Sequence, residues 1–177
     1  RERDLLRDVR GEADLVLDTT RLNVHELRAK IVAAFADASE PGLRANVVSF
    51  GYKYGLPVDA DLVVDCRFLP NPHWIPELRP LSGRDAEVRD YVLGQPGARE
   101  FVSQYGELLR ILVNGYRREG KRYLTLAVGC TGGKHRSVAV AEELATRLRA
   151  LSQAHDGDAT AGDAIEVQVT HRDLGRE

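Results

Sequence analysis

The sequence predicts an α/β fold, an open and mostly parallel sheet with helices on both faces and ligand loops at the carboxyl ends of the strands. Three observations carry that expectation. Short apolar runs at residues 13–19, 45–51, 60–67, 123–129 and 165–169 read as buried strands, helical stripes separate several of them, and glycine-rich or charged turns follow the exits. With 177 residues, 43% hydrophobic and 29% charged, the chain has enough apolar material for a core of ordinary composition.

Each element has its own signal. Residues 13–19 centre on Leu15, Val16 and Leu17 between acidic flanks. Asn23 then stands at an N-cap with Glu26 three residues on, Leu22 and Leu27 sit at staple positions, and Leu27, Ile31 and Ala34 give one apolar face to residue 37. Pro41-Gly42 breaks the chain before the second and third strands, which end near Ser49 and Arg67. The segment 70–80 holds four of the seven prolines and the only tryptophan, the composition of a stiff, ordered loop of the kind that carries function.

Phe101, Tyr105, Leu108, Leu112 and Tyr116 form a helical stripe over 97–118, closed by Gly120. A strand at 123–129 leads through a glycine turn into a helix at 135–151, with Val138, Ala141, Ala145 and Leu148 inward. Residues 152–163 are rich in Asp, Gly and Ala and read as a mobile connection to the last strand.

Composition excludes several classes of function. Lysine and arginine number 25 against 27 carboxylates, a net charge of −2, so any site for RNA or another anion must be local. No run approaches the roughly 18 to 20 apolar residues of a membrane span, and Arg1-Glu2-Arg3-Asp4 is too charged for a signal peptide, so a cytoplasmic protein without membrane contact is expected. Cys66 and Cys130 form no C-x-x-C pair, which points to a reducing compartment. No metal is expected, because His73, His135, Cys130 and the carboxylates lack ligand spacing. The absence of methionine, even at position 1, predicts a piece of a longer chain.

The strongest constellation is Gly129-Cys130-Thr131-Gly132-Gly133-Lys134-His135-Arg136-Ser137, a strand, a glycine turn and a helix start. Turn amides and the positive helix end make an anion cradle, to which Lys134, His135 and Arg136 add side chains; the plainer reading is a tight strand-to-helix turn. It is not a Walker A loop, since Val128 and His135 stand where glycine and a magnesium-binding hydroxyl are required. Cys130, Arg136 and Ser137 do match the Cys-x5-Arg-Ser spacing of thiolate phosphatases, although no aspartate is marked as the general acid.

In Asp65-Cys66-Arg67-Phe68-Leu69-Pro70-Asn71-Pro72-His73-Trp74, Arg67 can grip an anion and Asp65 and Asn71 can read hydroxyls or an amine; a surface pair with His73 beside Trp74 is the plainer reading. Ser49-Phe50-Gly51-Tyr52-Lys53-Tyr54-Gly55 offers Lys53 to a phosphate and two tyrosines to a sugar or base, or else forms a turn with half-buried aromatics. Arg117, Arg118, Lys121 and Arg122 form a local basic patch that could meet an RNA backbone or be a solvated helix end.

The segments 49–57, 65–74 and 129–138, in that order along the chain, resemble the signature blocks of the RapZ/YvcJ family, and the resemblance runs from about residue 13 to the end. It implies a P-loop domain that binds and weakly hydrolyses ATP or GTP, followed by a regulatory domain. Residues 1–37 would be the last strand and helix of the first and residues 38–177 the second, so ATP or GTP with magnesium belongs to sequence outside this chain and no cofactor or enzyme activity is expected within it.

The resemblance further implies a ligand such as glucosamine 6-phosphate or UDP-N-acetylglucosamine, control of amino-sugar and cell-wall precursor supply, and a homodimer or higher oligomer. Enterobacterial relatives also present small RNA to a ribonuclease. About five arginines for each lysine suggest a GC-rich genome outside that branch.

On this reading Cys130, Thr131, Gly132, Gly133, Lys134, His135, Arg136 and Ser137 form the cradle. The turn amides and Arg136 take the phosphate, and Arg67 and His73 hold its other side. Asp65, Asn71 and Ser49 read hydroxyls or the amine, with Lys53 nearby. An RNA adapter using the basic patch and, more remotely, a cysteine phosphatase are the alternatives.

Overall fold

The computed structural model describes residues 42–153 and 165–176, together with positions 19, 23, 24, 27 and 31. The chain divides into two compact units, Arg1–Glu40 and Pro41–Glu177. The strand expected at 13–19, apart from position 19, most of the helix expected at 23–37 and the connection at 154–163 lie outside the described residues. Within the first unit Val24, Leu27 and Ile31 are helical, and the Leu27 amide donates to the Asn23 carbonyl at 3.0 Å, as in a helix that starts at Asn23.

The second unit is built on four parallel strands, β1 (Leu43–Gly51), β2 (Leu62–Asp65), β3 (Tyr123–Cys130) and β4 (Ile165–His171), in the spatial order β2-β3-β1-β4. Helices α1 (Ala86–Leu93) and α2 (Ala98–Arg118) lie between β2 and β3 in the chain, and α3 (Arg136–Gln153) follows β3. Among the described residues no helix is long and apolar enough to cross a membrane.

Strand alternation sets the core. Leu43, Ala45 and Val47 of β1, Leu124, Leu126 and Val128 of β3 and Val64 of β2 share a face and pack with Val102, Leu109 and Val113 of α2 and Ala141, Leu144 and Leu148 of α3. At roughly 1.5 to 3 kcal/mol for each large apolar side chain buried, this one cluster supplies most of the hydrophobic drive. On the other face, β1 and β3 carry Arg44, Asn46 and Thr125 around the buried Val48 and Ala127.

Three elements differ from expectation. Helix α2 buries Ala98, Val102, Leu109 and Val113, while Phe101, Tyr105 and Tyr116 pack at the margin and Leu108 is 44% exposed. The inward line thus lies one position beyond the aromatic stripe, where aliphatic side chains meet the core and the aromatic rings cover its margin. Helix α1 had no visible stripe: in eight residues it buries only Val88 and Val92.

Strand β2 is shorter than 60–67, with an aspartate just before it and another as its last residue. Asp61 accepts the Thr125 amide at 2.8 Å and pairs with Lys121, while Asp65 accepts from the Arg67 backbone at 2.9 Å.

The registers matter most for function. Gly51 lies opposite Cys130, Asp65 opposite Gly129 and Ser49 opposite His171, so all four strands end level with one another. That brings the three chemically rich segments to one edge, the usual place for a ligand in an open parallel sheet.

Candidate functional site

The glycine turn between β3 and α3 sits directly on the end of β1. A Cβ at Gly51 would come within 2.6 Å of the Gly132 carbonyl carbon, so the two backbones touch. Gly133 has φ +84°, a left-handed conformation that favours glycine, and a Cβ there would lie 2.8 Å from the Gly51 nitrogen. Gly132 is different: the nearest atoms to a Cβ there are the Lys53 side-chain Cε and Nζ at 4.0 Å. Lys53, whose amide donates to the Thr131 carbonyl at 3.2 Å, therefore places its ammonium beside the turn.

Cys130 is buried at the base. Its Sγ accepts the Gly133 amide at 3.2 Å and lies 3.1 Å from the Ser137 hydroxyl. The Gly133 N–H is thus directed at the thiol and is not open to an anion, a correction to the cradle expected from sequence. Among the described residues the Gly132 amide makes no hydrogen bond.

Arg136 is the decisive side chain. It is only 4% exposed, donates through Nη1 to the carbonyls of Leu69 at 2.9 Å and Arg67 at 3.2 Å, and through Nη2 to the Thr131 hydroxyl at 3.2 Å. Its Nε is buried without a hydrogen-bond partner, and no carboxylate among the described residues forms an ion pair with it. A guanidinium buried among neutral acceptors is costly unless an anion completes it.

The loop after β2 closes one side. Asp65 holds Arg67 in a fork, with Nη2 2.7 Å from Oδ2, and that guanidinium lies 3.9 Å from the Tyr52 ring centroid. The Arg67 hydrogen bonds, with Arg136 close by, keep the Asp65 carboxyl below the usual range against the effect of burial. The stiff loop is ordered by a 3₁₀ turn at Pro72–Trp74, where the Asn71 carboxamide oxygen accepts the His73 amide at 3.4 Å. Arg79 Nε donates to the His73 carbonyl at 2.9 Å, the Arg79 carbonyl lies 3.3 Å from His135 Nε2, and the two imidazoles stand 6.3 Å apart. The Lys134 carbonyl accepts the Gly83 amide at 2.9 Å, which ties the segment before α1 to the start of α3.

The structure thus assembles Cys130, Thr131, Gly132, Gly133, Lys134, His135, Arg136 and Ser137 with Lys53, Asp65, Arg67, Asn71 and His73. Ser49 does not join them as a hydroxyl reader. It is fully buried, on the core side of β1, with its hydroxyl 2.8 Å from His171 Nδ1; His171 Nε2 in turn lies 3.0 Å from Glu142 Oε1.

Arg117, Arg118, Lys121 and Arg122 lie at the opposite end of β3. Lys121 there pairs with Asp61 and lies 4.8 Å over the Tyr116 ring, and Arg122 Nη1 donates to the Gly42 carbonyl at 3.4 Å. Among the described residues no cluster of His, Cys, Asp and Glu is arranged to hold a metal.

Sequence reasoning missed Asp173. Its carboxylate is fully buried, accepts the Gly51 amide at 2.8 Å, and pairs with Arg172 at 2.7 Å and Arg176 at 3.1 Å. Burial alone would raise its pKa, but the Arg172 and Gly51 hydrogen bonds prevail and hold it below the usual carboxylate range. An Arg-Asp pair after a terminal strand carries no local signal of such a role.

Comparison with known sequences fits this geometry. Residues 43–175 match the model of the RapZ C-terminal domain. The chain belongs to the RapZ family. Residues 1–39 of this RapZ-family chain match the RapZ-like N-terminal domain, so it carries sequence from both domains.

A nucleotide-binding protein of Acidothermus cellulolyticus is 72% identical over 177 residues, covering all of this chain and 55% of the relative. Proteins of the same name from Thermobifida fusca and Streptomyces griseus are 66% identical, with 56% and 50% of their lengths covered by 100% and 99% of this chain. All are actinobacterial, in keeping with the arginine-rich composition, and the chain spans about half the length of the curated relatives it matches. The glycine turn itself does not fit a Walker A nucleotide loop, since its Gly133 amide is committed to Cys130 and His135 stands where a magnesium-binding hydroxyl is needed.

Proposed function

We propose that the unit from residue 41 onward is a metabolite-sensing regulatory domain that binds a phosphorylated amino sugar or its UDP derivative, of the glucosamine 6-phosphate or UDP-N-acetylglucosamine type, and so serves control of amino-sugar and cell-wall precursor supply. The observation that carries this reading is Arg136, a buried cation with an unpartnered Nε and, among the described residues, no ion-pair partner, beside a glycine turn overlooked by Lys53. A phosphate group supplies the missing charge and several acceptor oxygens at once.

In this reading the phosphate meets Arg136 and the turn amides not already held by Cys130. Arg67 and His73 bound its other side, and Asp65 and Asn71 face the sugar amine and hydroxyls. Sugar preference comes from RapZ-family membership and from those acceptors. Anion preference comes from the geometry alone.

The test is a thermal-shift panel with glucosamine 6-phosphate, UDP-N-acetylglucosamine, UDP, glucosamine and inorganic phosphate. A ligand at 100 times its Kd stabilises by about 2.7 kcal/mol. The reading expects one phosphorylated sugar to shift Tm by several degrees and glucosamine to leave it unchanged. Equal, negligible shifts with all five would overturn it.

A further inference from the structure

We infer that the turn at residues 172–176 is a clamp that sets the shape of the anion cradle, with Asp173 as its positioning residue. The inference deepens the proposed function and rests on it for the ligand, though not for the geometry.

The Asp173 side chain touches the cradle at two backbone points. Its carboxylate accepts the Gly51 amide at 2.8 Å, and its Cβ lies where a Gly133 side chain would be, at 2.9 Å from that imagined Cβ. Gly51 in turn abuts Gly132 and Gly133, so one fully buried carboxylate fixes the end of β1 against the glycine turn. The same turn also holds the loop that carries Lys53. Tyr54 donates its hydroxyl to the Arg176 carbonyl at 2.6 Å, and Arg172 Nη2 donates to the Gly55 carbonyl at 2.7 Å. The Arg172 amide donates to the Ser49 carbonyl at 3.0 Å, continuing the β4 ladder into the clamp.

Two effects of Asp173 on an anion have opposite signs. Its negative charge, close to the cradle, disfavours phosphate; its hydrogen bond to Gly51 and its contact with Gly133 hold the turn in the binding shape. The two guanidiniums that pair with the carboxylate screen the first effect and leave the second. Removing the side chain therefore distinguishes them by the direction of the change. Simple charge relief tightens phosphate binding, whereas loss of positioning weakens it.

The experiment uses the full chain with Asp173→Ala, Asp173→Asn and Tyr54→Phe, titrated with inorganic phosphate and glucosamine 6-phosphate, alongside amide hydrogen exchange without ligand. Asp173→Ala is expected to bind about tenfold or more weakly, and Asp173→Asn, which keeps an oxygen for the Gly51 amide, to restore most of that loss. Tyr54→Phe, which leaves the cradle untouched, is expected to weaken binding about two- to threefold. Exchange at residues 51 and 131–133 is expected to accelerate in Asp173→Ala and much less in Asp173→Asn.

Unchanged or tighter binding in a folded Asp173→Ala protein overturns the clamp. So does unchanged exchange at those amides. If the wild-type chain binds neither ligand, the functional reading fails, and the exchange comparison still decides the clamp. If Asp173→Ala does not fold, Tyr54→Phe decides, and wild-type affinity with wild-type exchange in that variant rejects it.

Discussion

Arg136 donates to the Leu69 carbonyl at 2.9 Å, so the cationic side chain of the glycine turn is braced by the loop that leaves β2, on a different strand. The bond couples the cradle's charge to the chain segment that carries Arg67 and Asn71. Arg136→Ala leaves the carbonyls of residues 67 and 69 without their donor, at a cost of about 1–3 kcal/mol. Chemical denaturation is expected to show that loss, and Arg136→Lys, with one ammonium for three acceptors, to fall between.

The glycines of the turn are expected to respond unequally to alanine. Gly133→Ala forces a Cβ into a left-handed conformation against the Gly51 nitrogen and Asp173, and Gly51→Ala drives one into the Gly132 backbone. Each is expected to cost about 1–3 kcal/mol. Gly132→Ala meets nothing closer than Lys53 at 4.0 Å and is expected to stay within about 0.5 kcal/mol of wild type in a melt.

A thiolate phosphatase needs a protonated acid beside its cysteine. Among the described residues the carboxylates around the turn are Asp65 and Asp173, and both are held ionised, the first by Arg67 and the second by Arg172 and the Gly51 amide against its burial. No turnover of an aryl phosphate above the buffer rate is therefore expected. Turnover abolished by Cys130→Ser would refute this. As a binding residue, Cys130→Ser keeps an acceptor for the Gly133 amide and is expected to hold phosphate better than Cys130→Ala.

The acid limb of stability follows from Asp173. Because its folded pKa is depressed, its contribution is fully present above the ordinary carboxylate pKa of about 3.9 and is lost as pH falls through the lower, folded value. Asp173→Asn is expected to be less stable than wild type at pH 7, with the difference narrowing steadily below about pH 4 in urea titrations. A constant difference across that window would assign the effect to packing.

Trp74, the only tryptophan, is exposed and stands 5.4 Å from the His73 ring, which in turn faces His135. Occupation of the cradle is expected to change its emission, with the change lost in Arg136→Ala. Unaltered emission on saturation would place the ligand away from the 65–74 loop.

Much of this architecture is legible in the residues. Strands announce themselves through runs such as Leu124 to Val128, and the cradle through glycines between a strand and Arg136. What the sequence hides is side-chain commitment across the sheet edge. Ser49 reads as a strand exit that meets a ligand, yet register puts it opposite His171, which bonds it and reaches Glu142 of α3. Asp173 lies beyond the last expected strand with no motif around it, yet it closes on Gly51 more than a hundred residues earlier. In α2 the large aromatics suggest the inward stripe, yet the buried line is the aliphatic one beside it, Ala98, Val102, Leu109 and Val113.

The most direct test of the account is calorimetric titration of wild-type and Arg136→Ala protein with glucosamine 6-phosphate, with glucosamine and inorganic phosphate as controls. Saturable one-site binding of the phosphorylated sugar is expected, with weaker binding of phosphate, none of glucosamine, and loss of the heat signal in a folded Arg136→Ala variant. Equal affinity in wild type and variant would contradict it, because the buried guanidinium would then have no part in holding an anion.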